Sequence, residues 1–355
     1  MRAVERHPSF DSTFIRACRG LPVTHTPVWL MRQAGRYMSE YREMRARVSF
    51  LELCRSPDLV AETTVFAQER IGADAAIVFS DLLLVLEAMG LDLSYPKGGP
   101  RLSPPVRSAS DVDQLEEVQA RERLAYVYAG IRATRAALAE TVPLIGFAGA
   151  PFTLAAYACE GGPSRSFVHT KSLMYRDPGA WSALMEKLVR GLIEYLCCQA
   201  EAGAQCLQIF DSWVGAVGPE DYRDFVAPHS TALINGVKAV HPDVPIIHFG
   251  TGTGQILEQI QAAGGDVIGV DYQTSFAQAR SRLGDEQPVQ GNLEPLVLYS
   301  SPEYVCERAQ RVIDANAGRT GHIFNLGHGI LPETPVDNVI RLIDYVHEAT
   351  ATSSS

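Results

Sequence analysis

Short apolar runs of strand length recur along the chain, and amphipathic helical patterns lie between them. The runs are VWLM (28–31), AAIVF (75–79), PLIGFAG (143–149), QCLQIFD (205–211), VPIIHFG (244–250), VIGVD (267–271), PVQGN (288–292) and HIFNLGHG (322–329). Because these runs are mostly apolar, they predict strands buried on both faces of a helix-covered parallel sheet. Eight such units predict an α/β fold of the closed (β/α)8 TIM-barrel type. A doubly wound open sheet is the competing architecture, and the count of eight favours the barrel.

Three helical patterns are placed between or after these strands. In 178–203, leucines recur every fourth residue and would lie on one face of a helix. Pro178 follows Asp177, a favourable first-turn proline after a capping residue. The patterns at 119–140 and 335–349 also predict helices. Helices of this kind would cover the outside of the predicted barrel.

The whole chain, 1–355, is predicted to form a single domain. Its core would span about 10–350, with an extra helical segment at the N-terminus and a disordered tail at 351–355. The longest connection follows the second strand, from 81 to 142. Prolines and glycines at 96–105 exclude a regular element there. Such an excursion more often covers an active site than forms a second domain.

Composition and charge exclude several classes of protein. The chain is 46% hydrophobic and 20% charged, with a formal net charge of −10. No apolar run approaches the ~20 residues that cross a bilayer. The acidic balance argues against nucleic acid and anionic membranes as partners. The seven cysteines are scattered, and Cys197 and Cys198 are neighbours on a predicted helix. We therefore expect mostly buried thiols in a reducing compartment, the cytoplasm.

Two arginines follow the first predicted strand in PVWLMRQAGRY. Arg32 and Arg36 lie beside Gly35, a residue that suits a close approach or an unusual turn. Three more arginines extend the run: Arg42, Arg45 and Arg47. The alternative is a surface network with Glu40 and Glu43. Guanidinium groups match carboxylates in bidentate geometry, so the position at a barrel mouth predicts an anionic ligand, either phosphate or carboxylate.

Other polar side chains occur at or just after the C-terminal ends of predicted strands, where barrels carry their reacting groups. In order they are Asp81, Tyr157, Ser212, His248, Asp271 and His328. Each has a structural alternative, because an aspartate after a strand often caps a helix and a lone histidine is often only hydrogen-bonded. His248, Asp271 and His328 could converge on a metal, but no His-x-His occurs on the first strand. No metal is expected.

Two long stretches resemble the signature sequences of the uroporphyrinogen decarboxylase family. They are PVWLMRQAGRY (27–37) and GFAGAPFTLAAYACEGG (146–162). Shorter stretches agree in order along the chain: FSDLLL around Asp81, QIFDSWVG around Ser212 and NLGHGI around His328. These motifs are long and contain rare combinations, so the resemblance is specific.

The resemblance extends from about Phe10 to the last helix, with small departures. Met38 and Ser39 stand where a leucine and a proline are usual, and Trp213 lies beside Ser212. Neither departure is expected to touch a residue with a functional role.

The resemblance implies a cofactor-free and metal-free decarboxylation. The family's substrate, uroporphyrinogen III, carries four acetates and four propionates, which accounts for an arginine-rich mouth. The four acetate carboxyls leave as carbon dioxide and methyl groups remain, giving coproporphyrinogen III. Protonation of a pyrrole carbon makes the ring an electron sink, so the substrate acts as its own cofactor. The resemblance also implies a homodimer.

The resemblance also implies roles for individual residues. Asp81 would accept hydrogen bonds from the pyrrole N–H groups and stabilise the cation as it forms. Arg32 and Arg36 would bind substrate carboxylates, and Arg32 is the better placed of the two to help deliver a proton. The residues between them complete the predicted binding segment: Gln33, Ala34 and Gly35. Peripheral carboxylates would be held by Tyr157, Ser212 and His328, and Tyr157 is counted with Asp81 and Arg32 as catalytic.

Three other functions compete with this one. Corrinoid-linked methyltransferases have a similar barrel but need a zinc–thiolate site, and no cysteine lies between Cys206 and Cys306. A catalytically silent tetrapyrrole carrier would be expected to lack Asp81 or the arginines, and both are present. A phosphosugar enzyme would need a lysine, metal ligands or an acid–base pair that the strand ends do not offer.

Overall fold

A seven-stranded parallel sheet lies at the centre of the computed structural model, which describes residues 7–352. In chain order the strands are β1 (Ala76–Ile77), β2 (Asp92–Ser94), β3 (Arg101–Ser103), β4 (Leu144–Gly149), β5 (Cys206–Asp211), β6 (Ile246–Gly250), β7 (Val267–Gly269), β8 (Val289–Gln290) and β9 (His322–Ile323). The order in the sheet is β1-β4-β5-β6-β7-β8-β9, and β2 and β3 form a separate antiparallel hairpin. The predicted α/β class with a parallel sheet is confirmed.

The first predicted strand, 28–31, is not a strand of this sheet. Val28 forms one isolated parallel bridge, to Phe324. Further along, a side chain takes the place of a strand partner, because the N–H of Met31 donates to Asn325 Oδ1 at 3.1 Å. The ladder therefore stops after one residue, and the structure has seven strands in the sheet where the sequence predicted eight.

Helices surround the sheet and fill most of the connections between its strands. They are α1 (Thr13–Cys18), α2 (Ser39–Arg47), α3 (Phe50–Arg55), α4 (Pro57–Ile71), α5 (Leu84–Ala88), α6 (Ala109–Gln114), α7 (Ala120–Arg123), α8 (Ala125–Ala137), α9 (Pro151–Glu160), α10 (Val168–Arg176), α11 (Pro178–Glu201), α12 (Pro219–Asp221), α13 (Ala227–Val240), α14 (Leu257–Ala263), α15 (Phe276–Leu283), α16 (Pro302–Asn316) and α17 (Val336–Thr350). Among them α4 packs on α8, α11 on α13 and α16 on α17. No helix of the described residues is long and apolar enough to cross a membrane.

Two predicted helices are confirmed within a few residues. The pattern at 178–203 becomes α11, and the Asp177 side chain caps it by accepting from the N–H of Ala180 at 3.0 Å. The leucine stripe of α11 is fully buried. The pattern at 335–349 becomes α17, in which Val339, Ile343 and Val346 are buried. Local periodicity and a capping residue are sufficient to place these helices.

The connection after β1 is more regular than predicted. The segment 96–105 was expected to contain no regular element, yet it includes β3, which pairs with β2. Leu93 and Leu102 lie opposite each other and are buried, while their neighbours in both strands are exposed. One buried leucine on each strand anchors the hairpin despite the nearby prolines and glycines. The pattern at 119–140 is divided into α7 and α8.

The residues that follow α17 contact the segment that precedes 28–31. The predicted N-terminal helical segment contains α1, and residues 1–6 and 353–355 lie outside the described part. Thr352 was expected in a disordered tail, but its N–H donates to the carbonyl of Thr24 at 2.8 Å. All seven cysteines are free thiols, and only Cys306 is not fully buried, as predicted.

Candidate active site

A tight turn at the end of the 28–31 segment presents Arg32. The residue adopts a φ of +63°, in the left-handed region that non-glycine residues rarely occupy. Gln33 braces this turn from inside the protein. Its Oε1 accepts from the N–H of Leu30 at 3.4 Å, and its Nε2 donates to the carbonyl of Ala75 at 3.2 Å. The side chain of Gln33, predicted to bind substrate, is therefore engaged within the fold.

Two glycines make room for Arg32. A Cβ on Gly35 would lie 3.1 Å from the carbonyl oxygen of Arg32, so the turn closes tightly there. A Cβ on Gly329 would lie 2.5 Å from Cδ of Arg32, which is closer than real Cβ contacts. The arginine side chain therefore crosses the backbone of the NLGHGI segment beside His328, whose Nδ1 accepts from the N–H of Gly329 at 2.8 Å.

Arg32 and Arg36 carry positive charge without a protein counter-ion. Within residues 7–352, neither guanidinium forms an ion pair, so the predicted alternative with Glu40 and Glu43 is not found. Arg32 is accessible to solvent, yet it is surrounded by protein. Burial lowers its pKa, and Arg36 lowers it further. A group that is both surrounded and accessible lies within a cleft, and this cleft attracts anions.

The three other arginines of the run do not extend this cluster. Arg42 donates to the carbonyls of Arg36 and Tyr37 at 2.8 and 3.0 Å. Arg45 donates to a backbone carbonyl and lies over the ring of Phe50. Arg47 is exposed near the end of α2. Arg42 lines a pocket together with Arg36, but two backbone carbonyls already accept from its guanidinium, and Arg45 is engaged elsewhere.

Asp81 follows β1 and is half-buried. Its Oδ1 accepts from the N–H of Leu83 at 2.8 Å, which fixes the carboxylate. Burial raises the pKa of Asp81, while Tyr95 and the Leu83 N–H oppose the rise. The Tyr95 hydroxyl approaches this carboxylate without the alignment of a hydrogen bond, and its ring packs edge-on against Phe50 with centroids 4.8 Å apart. Sequence reasoning missed Tyr95, because it lies in the connection read as irregular.

Tyr157 lies on α9, the helix that follows β4, and Trp213 contacts it. The two rings meet at 5.6 Å between centroids, and Phe167 packs on the other side of Trp213 at 5.4 Å. The expectation that Trp213 touches no residue with a role was therefore wrong. Ser212 is half-buried next to this tryptophan, and its carbonyl accepts from Thr251 Oγ1 at 2.5 Å.

Electrostatic effects show which predicted residues the fold brings together. Burial raises the pKa of Tyr157; Asp81 adds to this rise, and Arg32 opposes it. Burial lowers the pKa of His328, and the charge of Arg32 lowers it further. The charge of Arg36 lowers the pKa of Arg32. Five of the predicted side chains thus meet at one edge of the sheet, where β1, β4 and β9 end. Ala34 instead packs partly against the core.

Comparison with known proteins identifies the family. The family model described as uroporphyrinogen decarboxylase (URO-D) matches residues 9–349. The chain belongs to the uroporphyrinogen decarboxylase family. These enzymes are carboxy-lyases. The chain is 50% identical to the uroporphyrinogen decarboxylase of Syntrophotalea carbinolica over 96% of its own length and 98% of that protein's. It is 48% identical to that of Geobacter sulfurreducens, over 95% and 98% of the two chains.

A distant solved structure shares the fold of this family. A methyltransferase from Methanosarcina mazei superposes with a TM-score of 0.75 and covers 94% of this chain and 97% of its own, at 20% identity. At that identity the likeness concerns the fold alone. Decarboxylases of this family and a methyltransferase therefore have similar folds, and only their sites can separate their chemistry.

Asp271 acts on the candidate site only through its charge, which raises the pKa of His328, and His248 has a structural role. His248 is fully buried, its Nδ1 lies 3.2 Å from the carbonyl oxygen of Gly264, and burial lowers its pKa to about 4. Asp271 is buried and accepts from the N–H groups of Gln273 and Thr274, both at 3.1 Å. The structural alternatives hold for both residues, so they do not converge with His328 on a metal.

A buried carboxyl lies directly before Ser212, at the end of β5. Asp211 Oδ1 accepts from Thr153 Oγ1 at 2.8 Å, and Thr153 Oγ1 in turn accepts from the N–H of Trp213 at 3.1 Å. Oδ2 of Asp211 is buried without a hydrogen-bond partner among the described residues. Burial raises the pKa of Asp211 to about 7, because water no longer stabilises the charged form.

The free energy of unfolding is expected to fall as the pH rises toward 7, because Asp211 binds a proton more tightly in the folded state. Its folded pKa of about 7 exceeds the ordinary 3.8. The contribution is complete below the ordinary value and is lost as the pH rises through about 7. At about 1.4 kcal/mol per pKa unit, Asp211→Asn should be about 2–4 kcal/mol more stable than wild type at pH 8 and little different at pH 4.

Urea unfolding at both pH values measures this effect. Asp113→Asn, at an exposed position of α6, is the matched control and should change stability little at either pH. A constant difference between Asp211→Asn and wild type across the pH range would contradict the assignment.

Proposed function

We propose that this chain converts uroporphyrinogen III to coproporphyrinogen III by removing its four acetate carboxyls, with neither a metal nor an organic cofactor. One observation carries the proposal. Within residues 7–352, Arg32 and Arg36 form no ion pair and act on each other, and Arg32 and the half-buried carboxylate of Asp81 both act on Tyr157. Arginines suit a substrate with many carboxylates, and a central carboxylate suits a ring of N–H donors that becomes cationic. The names of the relatives support the same reaction.

Asp81 has two roles in this proposal. Its ionised carboxylate offers about four lone-pair sites, enough for the pyrrole N–H groups of a domed tetrapyrrole. When a ring carbon is protonated, the ring becomes cationic and Asp81 stabilises that charge. The bond from the acetate CH2 to its carboxyl carbon then breaks, carbon dioxide leaves, and the electron pair enters the ring. The exocyclic carbon takes a proton to become a methyl group, and the ring carbon gives up the proton it had gained, which restores the pyrrole. Hydrogen bonds from the substrate favour the ionised carboxylate, which burial alone disfavours.

Arg32 and Arg36 have different roles in this proposal. Arg36 is exposed and binds propionate or acetate groups at the rim of the cleft. Arg32 lies deeper, and its lowered pKa is the direction required of a group that helps to deliver a proton. Gln33 acts through the shape of the turn that it braces. Ala34 and Gly35 lie in the same segment and would contribute their backbone atoms to the binding of substrate.

Tyr157, Ser212 and His328 are expected to contribute in graded amounts. Enzymes typically lower barriers by ~8–23 kcal/mol, and loss of one preorganised donor costs ~3–4 kcal/mol, so no single peripheral contact is sufficient. Tyr157→Phe, Ser212→Ala and His328→Gln should each lower kcat/KM by about 10- to 100-fold. Steady-state rates with uroporphyrinogen III measure this. Unchanged rates in all three variants would place the substrate elsewhere.

Anaerobic incubation of the chelator-treated protein with uroporphyrinogen III tests the reaction itself. The products are oxidised and separated by carboxyl count. Stepwise appearance of species with seven, six, five and four carboxyls is the expected result. Bound but unchanged substrate would favour a tetrapyrrole carrier. Turnover that required added zinc would favour chemistry of the methyltransferase kind.

The proposal includes the complete architecture and assembly. We infer that the 28–31 segment takes the eighth place of a (β/α)8 barrel in one domain. It bridges to Phe324 on one side, and its Val28 carbonyl accepts from the N–H of Asp74 at 2.8 Å on the other. Family resemblance supports a homodimer, and the free, mostly buried thiols support a cytoplasmic location. The net charge of −10 argues against nucleic acid and anionic membranes as partners. Light scattering of the purified protein tests the dimer, and the monomer mass would contradict it.

A further inference from the structure

A cluster of two histidines and one aspartate lies outside the active site. His25 Nε2 is 3.0 Å from Asp74 Oδ1, and His347 Nε2 is 2.7 Å from Asp74 Oδ2. The two imidazole rings meet edge to face with centroids 4.5 Å apart. Within residues 7–352, this is the one group of three such side chains whose potential ligand atoms all lie within 4.8 Å of one another.

The fold places this cluster at the opposite end of the sheet from Arg32 and Asp81. Asp74 lies two residues before β1, and His25 lies just before the 28–31 segment. His347 lies in the last turn of α17, the helix that packs on α4 and α16. Three separate parts of the chain thus contribute one side chain each. Because the strands run in parallel, residues before them lie far from the catalytic edge.

The donor set suits a transition-metal ion. Zinc binds imidazole nitrogen and carboxylate oxygen at about 2.0–2.2 Å, which separates tetrahedral ligand atoms by about 3.3 Å. The nitrogen–oxygen separations of 3.0 and 2.7 Å need only a small outward movement to reach this value. Two nitrogens and one oxygen favour Zn²⁺, Co²⁺ or Ni²⁺ over Mg²⁺ and Ca²⁺, which prefer oxygen.

Neighbouring groups hold the potential ligands in place without filling the site. The N–H of Val28 donates to Asp74 Oδ2 at 2.7 Å, which fixes the carboxylate with Oδ1 facing His25. His25 Nδ1 lies 3.2 Å from Thr24 Oγ1, an outer contact that orients the ring with Nε2 toward Asp74. The side chains are 27%, 16% and 29% exposed for His25, Asp74 and His347, so an ion and its remaining waters have access.

We propose that His25, Asp74 and His347 form a structural site for one divalent transition-metal ion of the zinc class. The ion binds both Nε2 atoms and the carboxylate, water completes its coordination, and any Nε2 protons are released to solvent. It ties the start of the chain to α17, where the N–H of Thr26 already donates to Thr350 Oγ1 at 2.9 Å. Its effect is on the stability of the fold, and it takes no part in the decarboxylation.

Cobalt and zinc titrations of the chelator-treated full chain test the site. Co²⁺ gives visible absorption bands when imidazole and carboxylate bind it, and isothermal titration calorimetry with Zn²⁺ gives the stoichiometry. We expect one ion per chain and a melting temperature several degrees higher with zinc. His25→Ala and His347→Ala should each weaken binding by at least tenfold. His169→Ala, an exposed histidine on α10, is the matched control and should bind as wild type does.

Two outcomes would overturn the site. One is the absence of Co²⁺ bands, or equal metal binding in His25→Ala and wild type. The other is a melting temperature that His25→Ala lowers equally with and without zinc, which would make the cluster a hydrogen-bonded clamp only. Decarboxylase activity at 25 °C should not depend on zinc, so failure of this site would leave the proposed reaction unaffected.

Discussion

Replacing Asp81 with asparagine is expected to lower kcat by about 10³-fold or more. Asparagine keeps the size and one acceptor oxygen, but it removes the negative charge that stabilises a cationic pyrrole. Loss of one preorganised electrostatic group costs about 10²–10³-fold in other enzymes, and here the lost group is charged and surrounded by protein. Single-turnover rates under anaerobic conditions measure the effect on the chemical step.

Stability should change in the opposite direction from activity in the same variant. Burial raises the pKa of Asp81, so the ionised form costs folding free energy above that pKa. Asp81→Asn should therefore melt at the same or a higher temperature than wild type at pH 8, and the gain should vanish in acid. Asp92→Asn, at an exposed position of β2, is the matched control for charge. A stable Asp81→Asn variant with normal turnover would remove Asp81 from the mechanism.

The decrease of kcat/KM at low pH should follow the protonation of Asp81. In the proposed mechanism the ionised form of Asp81 is the active one, so kcat/KM of the wild type should fall as the pH drops through the pKa of Asp81. Because that pKa is raised, the fall should begin at a higher pH than an ordinary aspartate would give.

The sequence was sufficient to group most of the candidate residues because of one geometric rule. Strands in a parallel sheet end at the same edge, so Arg32, Asp81, Tyr157 and His328 could be placed together without knowing any contact. The structure gives these residues mutual electrostatic effects. Helices α11 and α17 were predictable for a comparable reason, since periodicity and caps are local features.

What the sequence could not predict depends on contacts between distant residues. The N–H of Met31 bonds to Asn325, and the side chain of Gln33 bonds to Ala75, so the first predicted strand becomes a braced turn. Tyr95 directly follows β2 of the hairpin, and from there it acts on Asp81, which lies fourteen residues earlier in the chain. Neither partner can be read from local composition.

The second large effect is expected at Arg32, in the positively charged cleft. Arg32→Gln should lower kcat/KM by about 10²–10³-fold, because a hydrogen bond to a charged group is worth about 1.5–3 kcal/mol and Arg32 also acts near the reacting ring. Arg32→Lys should recover part of the loss, since lysine keeps the charge but lacks the bidentate fork. Arg132→Gln, at an exposed position of α8, is the control and should leave kcat/KM unchanged.

Because Arg32 lies deeper in the cleft than Arg36, substitutions of the two residues should change kcat and KM differently. Arg36 is exposed and its contact is the same in ground and transition states, so Arg36→Gln should raise KM by about tenfold and leave kcat nearly unchanged. Arg32 is surrounded by Tyr157, His328 and the Gly329 backbone, so Arg32→Gln should lower kcat as well. The salt dependence of KM should weaken in both variants, because each removes one fixed charge facing the carboxylates. If Arg36→Gln lost kcat while Arg32→Gln changed KM alone, the proposed division of roles between the arginines would be reversed.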